Sequence, residues 1–317
     1  MKKKKQTKHT YRIRNWKEYN TALVRRGSIT IWIDEKAIKS WLNHKRTGKV
    51  GCPRTYTDTA IECMLTLKVV YGLTLPSTQG FMESVVELLG VRLPVPDYTT
   101  LYRRMKGLEL KLARKASHEP IHIVIDSTGL KVYGEGEWKV RQHGYTKRRT
   151  WRKLHLAVDE SIGQIEAVVV TTNSISDGDV LEQMLEQVES EVKQVSGDGL
   201  YDRWDCYEVI DRRGAVAAIP PRRGAHIRRH GNSSGQRLAR DENIRRVRRV
   251  GRKRWKQEVG CHRRSLAETA IYRIKTIFGD RLSTRGLESQ VREMLIKCGA
   301  LNRMTQLGMP DSYVVVA

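Results

Sequence analysis

Three acidic residues stand where their neighbours would put a carboxylate at the tip or on the face of a structural element. Asp126 follows the apolar run 121–125, Asp198 lies between Gly197 and Gly199 just after Val195 and Ser196, and Glu268 falls within an amphipathic stretch. A charge at the end of an apolar strand must be solvated, paired or metal-bound, because burying it alone costs heavily. Glycines beside Asp198 let backbone and phosphate come close. Hard divalent cations such as Mg²⁺ take a few carboxylate oxygens and complete their shell with water and substrate. Two such ions, roughly 3.5–4 Å apart, can activate a nucleophile and stabilise the departing oxygen of a phosphodiester. Asp126, Asp198 and Glu268 together therefore fit metal-dependent phosphoryl chemistry, as metal ligands and catalytic groups at once. Taken singly, an Asp at a strand tip is more often a turn or cap residue, and a Glu between Arg and Lys at helical spacing is usually an exposed ion-pair partner. Their ordered occurrence on suitable elements carries the reading. Asp159 and Asp202 are rivals, ranked second because neither lies at the centre of two adjacent strand tips.

The surroundings of Glu268 add cations. Cys261, Arg264, Glu268 and Lys275 are spaced by three, four and seven residues, which puts them on one stripe of a helix that begins early enough. Leu266, Ala270, Ile274 and Phe278 form the opposite, core-facing stripe. Arg264 and Lys275 then flank Glu268 with charge suited to phosphate.

The elements that must position these groups are legible in outline. Strands are expected at 121–125, 154–158 and 165–171, a helix from Asp177 to about Val192, a strand at Val195 and Ser196, a helix over 202–213 and a fifth strand over 215–219. Strands and helices in that order predict an α/β domain of ribonuclease H-like topology. In it the strands carrying Asp126 and Asp198 are neighbours. Two helices, from about Ser265 to Phe278 and over 288–307, close the chain.

The amino-terminal third reads as helical. A short helix is expected over 34–42, then one capped by Asp58, one capped by Ser77 after Pro76, and a short one capped by Asp97. This is the layout of a helix-turn-helix DNA reader, with Thr99, Thr100, Arg103 and Arg104 facing the groove. A three-helix structural bundle with a solvated basic face is the equal alternative. Residues 1–50 form a basic arm and short helix, 51–115 the helical domain and 116–317 the catalytic domain, with a basic insertion at about 222–264.

Lys plus Arg number 59 against 35 acids, a net charge of +24. A field of that sign asks for a polyanion, nucleic acid before anionic membrane. Arg222 and Arg223 follow the fifth strand and would hold flanking phosphates. Arg248, Arg249, Arg252, Lys253 and Arg254, with Arg245 and Arg246, would track the backbone, setting affinity and register rather than sequence choice. Trp138 and Trp255 are candidates for base stacking, though packing is the more common fate of each. His143, His155 and His262 show no ligand pairing. No run of about eighteen apolar residues exists, and the Lys-rich start is not followed by the apolar core of a secretion signal. The five cysteines form no CxxC pair, so neither a zinc ribbon nor a disulfide framework is expected, and a reducing cytoplasm beside the nucleoid is the simplest compartment.

The residues now assembled match a known pattern. The sequence resembles the DDE transposases of bacterial insertion sequences, in the group with the signature Tyr-x2-Arg-x3-Glu-x6-Lys. Arg264, Glu268 and Lys275 fit its spacing, and Cys261 stands at the Tyr position. The segments VIDSTGLKVYGEGEWKVRQHG from Val124, WRKLHLAVD from Trp151, DGLYD from Asp198, IPPRRGA from Ile219 and HRRSLAETA from His262 look like the family too. The resemblance implies a ribonuclease H-like catalytic domain using Asp126, Asp198 and Glu268 with two Mg²⁺ ions, Mn²⁺ being a substitute. It also implies double-stranded DNA partners, the terminal inverted repeats and the target, and multimers that pair two element ends. The expected reaction is strand cleavage followed by strand transfer, with no covalent protein–DNA intermediate, so Tyr133, Tyr201 and Ser127 are not nucleophiles. An inactive transposase relic acting as a DNA-binding repressor is the alternative, and a structure-selective nuclease of the same fold a third reading.

Overall fold

The computed structural model of the protein describes residues 10–44, 54–115, 117, 119–132, 151–229 and 238–315, with the backbone alone of His262. The chain enters through strand β1 (Thr10–Ile13), which pairs antiparallel with strand β8 (Ser312–Val315) near the other end. Helices α1 (Trp16–Arg26), α2 (Ile29–Trp32) and α3 (Glu35–Lys39) follow. The first two are not evident from periodicity. Next come α4 (Asp58–Val70), α5 (Leu75–Leu88) and α6 (Tyr98–Met105). The caps of two differ from expectation. Thr57 accepts from the Ala60 amide and Thr74 from the Ser77 amide, so each helix starts one or more residues earlier than expected. Pro76 falls in the first turn of α5, where its missing N–H costs nothing. Asp97 caps α6 as expected, accepting from Thr99 N at 2.7 Å.

One mixed sheet organises the rest. Its order is β4 (Ile165–Thr172), β3 (Trp151–Asp159), β2 (Ile121–Val132), β5 (Val192–Ser196), β6 (Val216–Ala218), with β7 (Arg281–Leu282) also pairing with β2. β2 runs antiparallel to β3 and parallel to β5, so the sheet changes direction there. β2 and β3 extend further than their apolar stretches suggested. Their polar halves, Thr128–Lys131 on β2 and Trp151–Leu154 on β3, pair with each other and so satisfy the backbone that hydropathy leaves unmarked.

Alternation along β2 sorts its side chains between two layers. Ile121, Ile123 and Ile125 join a core with Ala157, Val169 and the helices α7 (Leu181–Gln187) and α8 (Trp204–Arg212). Val124 and Leu130 point the other way, to a core with Leu154, Leu156 and the helices α11 (Ser265–Phe278) and α12 (Leu287–Leu307). The result is a helix–sheet–helix sandwich. The helix expected from Asp177 to Val192 is broken into a 3-10 turn, Asp177–Val180, and the short α7. Gln187 then turns its side chain to the Val168 amide at 3.1 Å, and the chain is extended from Val188 so that Val192 can pair with Ile121.

Asn302 ties α12 to the sheet, accepting from Ile165 N at 2.8 Å and donating to Ile165 O at 2.8 Å. Further along the same helix, Ile296, Ala300 and Met304 share a core with Trp32, Trp41, Met64 and Leu101. The amino-terminal helices are therefore packed on α12.

The basic segment is partly core, against the expectation of a phosphate-tracking insertion alone. It holds α9 (Ala239–Val250) and α10 (Arg252–Glu258), which bury Ile244 and Trp255. Trp255 is 1% exposed, so it packs and does not stack on a base. Trp138 lies outside the described residues, as do Tyr133 and His143.

Candidate active site

The site forms where β2 and β5 part. Their parallel ladder ends with Val124 opposite Ser196. Two residues on from each stand Asp126 and Asp198. On the same edge of β2, β7 takes up pairing only at Lys131 and Val132. Asp126 thus sits in an open stretch of edge between two parallel partners. A crevice at the carboxyl ends of strands, where the sheet changes sense, is the general place for a ligand in such folds. Asp126 shares the face of Val124, so it looks toward α11, which carries Glu268.

Arg264 lies between the carboxylates. Its Nη2 donates to Glu268 Oε1 at 2.8 Å and its Nη1 is 3.9 Å from Asp126 Oδ1. Burial pushes the Asp126 carboxyl above its ordinary value. The Ser127 amide and Arg264 pull it back, while Asp198 and Glu268 push it further up. Asp126 thus feels the charge of both other acids. Lys275 Nζ donates to Thr128 Oγ1 on β2 at 2.6 Å, which seats α11 against the strand. A cleft of about 840 Å³ opens here, lined by Asp198, Arg222, Arg252, Lys256, Arg264 and Glu268 among others. Asp126 does not line the cleft, but Arg264, which does, reaches it. Cys261, at the expected Tyr position, lines the cleft in a 3-10 turn that precedes α11. Burial raises its thiol pKa, keeping it a thiol.

The oxygen-only donor set suits a hard cation such as Mg²⁺. Among the described residues no three His, Cys, Asp or Glu side chains converge as a ready-made cage. The guanidinium of Arg264 occupies the space between two of the acids instead, and balances their charge.

The loop after Asp198 is tightly held. Asp198 Oδ1 accepts from Leu200 N at 2.8 Å. Arg222 donates from Nε to Gly199 O at 2.8 Å and from Nη2 to Leu200 O at 3.0 Å. A Cβ on Gly197 would meet Tyr201 Cδ2 at 2.9 Å and Ile125 Cγ1 at 3.0 Å. Glycine there lets the Tyr201 ring and the Ile125 side chain close on the backbone beside Asp198. The rival acids have structural work. Asp202 is buried in an ion pair with Arg240 at 2.7 Å, and Asp159 caps the turn after β3 by accepting from Ser161 N and Oγ, each at 2.7 Å.

A family model described as a transposase DDE domain matches residues 117–303, and a second of the same description matches residues 24–135. The first alone spans more than half of the chain. The chain belongs to the DDE transposase family. Among solved structures, a cryo-EM piggyBac transposase synaptic complex with hairpin DNA aligns with 94% of this chain and 76% of that one, at 9% identity and a TM-score of 0.38. No helix among the described residues is long and apolar enough to cross a membrane.

The cations expected to meet DNA in this transposase fall into three groups. Arg222, Arg252 and Arg264 line the cleft. Arg223, Arg248, Arg249 and Lys253 are exposed beside it in sequence. Others are engaged within the protein. Arg246 and Arg254 share Glu258, at 2.8 and 3.3 Å, and Arg245 pairs with Glu242 at 2.6 Å. The run of cations therefore has acidic partners that neighbouring sequence hides. On α6, Arg104 is turned inward, donating to Tyr56 O at 2.8 Å and pairing with Asp58 at 2.5 Å. This corrects its placement on a groove-facing surface. Thr99 bonds to its own cap, Asp97, and Arg103 folds back onto Thr99 O and Thr100 Oγ1. Helices α5 and α6 are separated by residues 89–97, longer than the three- or four-residue turn of a helix-turn-helix. Lys256 and Gln257 line the cleft but escaped the reading of the sequence. Nothing in local spacing separates them from the other polar residues of α10.

Proposed function

We propose that the protein binds the terminal inverted repeats of its mobile element, cuts the strand at the element end, and joins the freed 3′-hydroxyl to target DNA. The reading rests on one observation above all. Asp198 and Glu268 line one cation-rimmed cleft, and Arg264, which also lines it, links Glu268 to Asp126. The strand order, with the direction change at β2, supports a ribonuclease H-like catalytic domain.

In this reading Asp126, Asp198 and Glu268 would hold two Mg²⁺ ions. When bound, such a pair supplies an activated nucleophile and charge for the departing oxygen. The remaining work falls to the chain itself. Arg222, held by the backbone of Gly199 and Leu200, presents charge at the mouth of the cleft. Arg264 is drawn toward an entering phosphate, for which its planar fork is suited. Lys275, pinned to Thr128, adds positive charge on the helix that carries Glu268. The open cleft accepts an extended strand so that the attacking and departing oxygens can lie in line. Thr99, Thr100 and Arg103 on α6 contribute DNA contacts away from the cut, and synapsis brings two copies to two ends.

Asp198→Ala tests the assignment. Binding of terminal-repeat DNA in a gel shift is expected to persist while Mg²⁺-dependent cleavage is abolished. Cleavage that survives this change sinks the carboxylate site. A wild-type protein that cuts but never joins a precut end is a nuclease instead.

A further inference from the structure

Helix α11 divides its exposed surface by chemistry. One shoulder carries Lys275 and follows on from Arg264 at the helix's N-cap, and the two reach the sheet at Thr128 and Asp126. The other carries Ser265, Thr269, Tyr272 and Thr276, all exposed and none charged. In a chain with 30% charged residues and a net charge of +24, a neutral stripe beside a carboxylate site is a contrast that needs a reason. Tyr272 is 68% exposed and its hydroxyl has no hydrogen-bond partner among the described residues. It lies one helical turn beyond Glu268 on nearly the same line, about 6 Å along the axis. Thr269 Oγ1 is already satisfied by Ser265 O at 2.9 Å, so it leaves a low, uncharged floor beside the ring.

Phosphates and bases ask for different surfaces. Cations take the backbone, while a planar, neutral base stacks on an aromatic face and tolerates any sequence. On the strength of the proposed function, we infer that Tyr272 stacks on an unpaired base next to the scissile phosphate. The hydroxyl-lined shoulder receives that nucleotide while Arg264 and Lys275 take the phosphates. The ring is a positioning group. It fixes the nucleotide beside the cut, and its face is what acts, so a phenylalanine serves as well.

The test uses the full-length protein and a precut duplex of the DNA that flanks its coding region, with 2-aminopurine at successive terminal bases. Wild type should change the fluorescence at one position by stacking. Tyr272→Phe should keep that signal and the joining rate. Tyr272→Ala should lose the signal and join about tenfold more slowly, with its melting temperature and its affinity for internal duplex unchanged. The inference is overturned if Tyr272→Ala keeps signal and rate, or if Tyr272→Phe loses as much as Tyr272→Ala. A wild type that neither cuts nor joins this duplex overturns the proposed function and the inference with it. A wild type that cuts, beside an indifferent Tyr272→Ala, overturns the inference alone.

Discussion

His155 shows how much a single buried side chain can report. It is 0% exposed on β3, opposite Ser127, with Nε2 3.0 Å from Thr171 Oγ1 and Nδ1 unpartnered, 3.6 Å from Asp177. Burial drives its pKa down from 6.5 to about 4. Asp177 opposes that fall and Lys153 assists it. The folded protein therefore holds His155 neutral where the unfolded chain would protonate it. Its contribution to stability is fully present above pH 6.5 and is lost as pH falls from 6.5 toward 4, on the order of 3 kcal/mol in all. We expect His155→Gln to flatten the fall in the urea midpoint over that window. Equal slopes for the two proteins would show that another group governs the acid limb.

At the scale of elements, the Asp202–Arg240 pair joins α9 to the loop that follows Asp198. Asp202 accepts from Arg240 Nε at 2.7 Å, Arg240 Nη2 at 3.0 Å and the Arg222 amide at 2.7 Å, and its side chain is 0% exposed. Trp204 lies under Arg240, with the guanidinium carbon 4.7 Å from the ring centroid. A buried pair of this kind is weak evidence for net stability, but breaking it strands a charge. Arg240→Leu is expected to cost about 3–5 kcal/mol in urea unfolding. Adding Asp202→Asn should recover part of that loss, because the stranded charge is then gone. A double mutant as unstable as the sum of the two singles would mean that the side chains act independently.

Over the whole molecule, charge is distributed by use. Of the 59 basic residues, set against 35 acidic ones, some pair with acids of the chain, as at Glu258, Glu242 and Asp202, and others stand around the cleft, as Arg222, Arg252 and Lys256 do. Only the second group answers to a polyanion. Lys256→Gln should therefore weaken DNA binding to a similar degree on repeat and unrelated duplexes, and lower the slope of log K against log salt by about one. A loss confined to the repeat sequence would make Lys256 a base reader and not a phosphate contact.

Local patterns carried much of the sheet-bearing part of the fold. The apolar run into Asp126, the apolar stretches of β3 and β4, the Asp97 cap and the 3.6-residue rhythm of α11 and α12 are properties of adjacent residues, and each is found where the sequence predicts it. So is the adjacency of the Asp126 and Asp198 strands, because element order prunes the possible topologies. Contacts between distant segments decided the rest. Trp255 is hidden by packing rather than by its own surroundings, which are nearly all polar. Arg104 is captured by Asp58, 46 residues away, and Arg246 by Glu258 across the turn between two helices. The short β7 exists because two residues meet the end of β2. The place of Arg264 between Asp126 and Glu268 belongs to the same class. Helical spacing put it beside Glu268, but only the docking of α11 on the sheet brought its other nitrogen to Asp126. Periodicity follows from backbone geometry and can be read one segment at a time. Charge pairing and burial depend on which segments become neighbours, and that is a property of the folded chain alone.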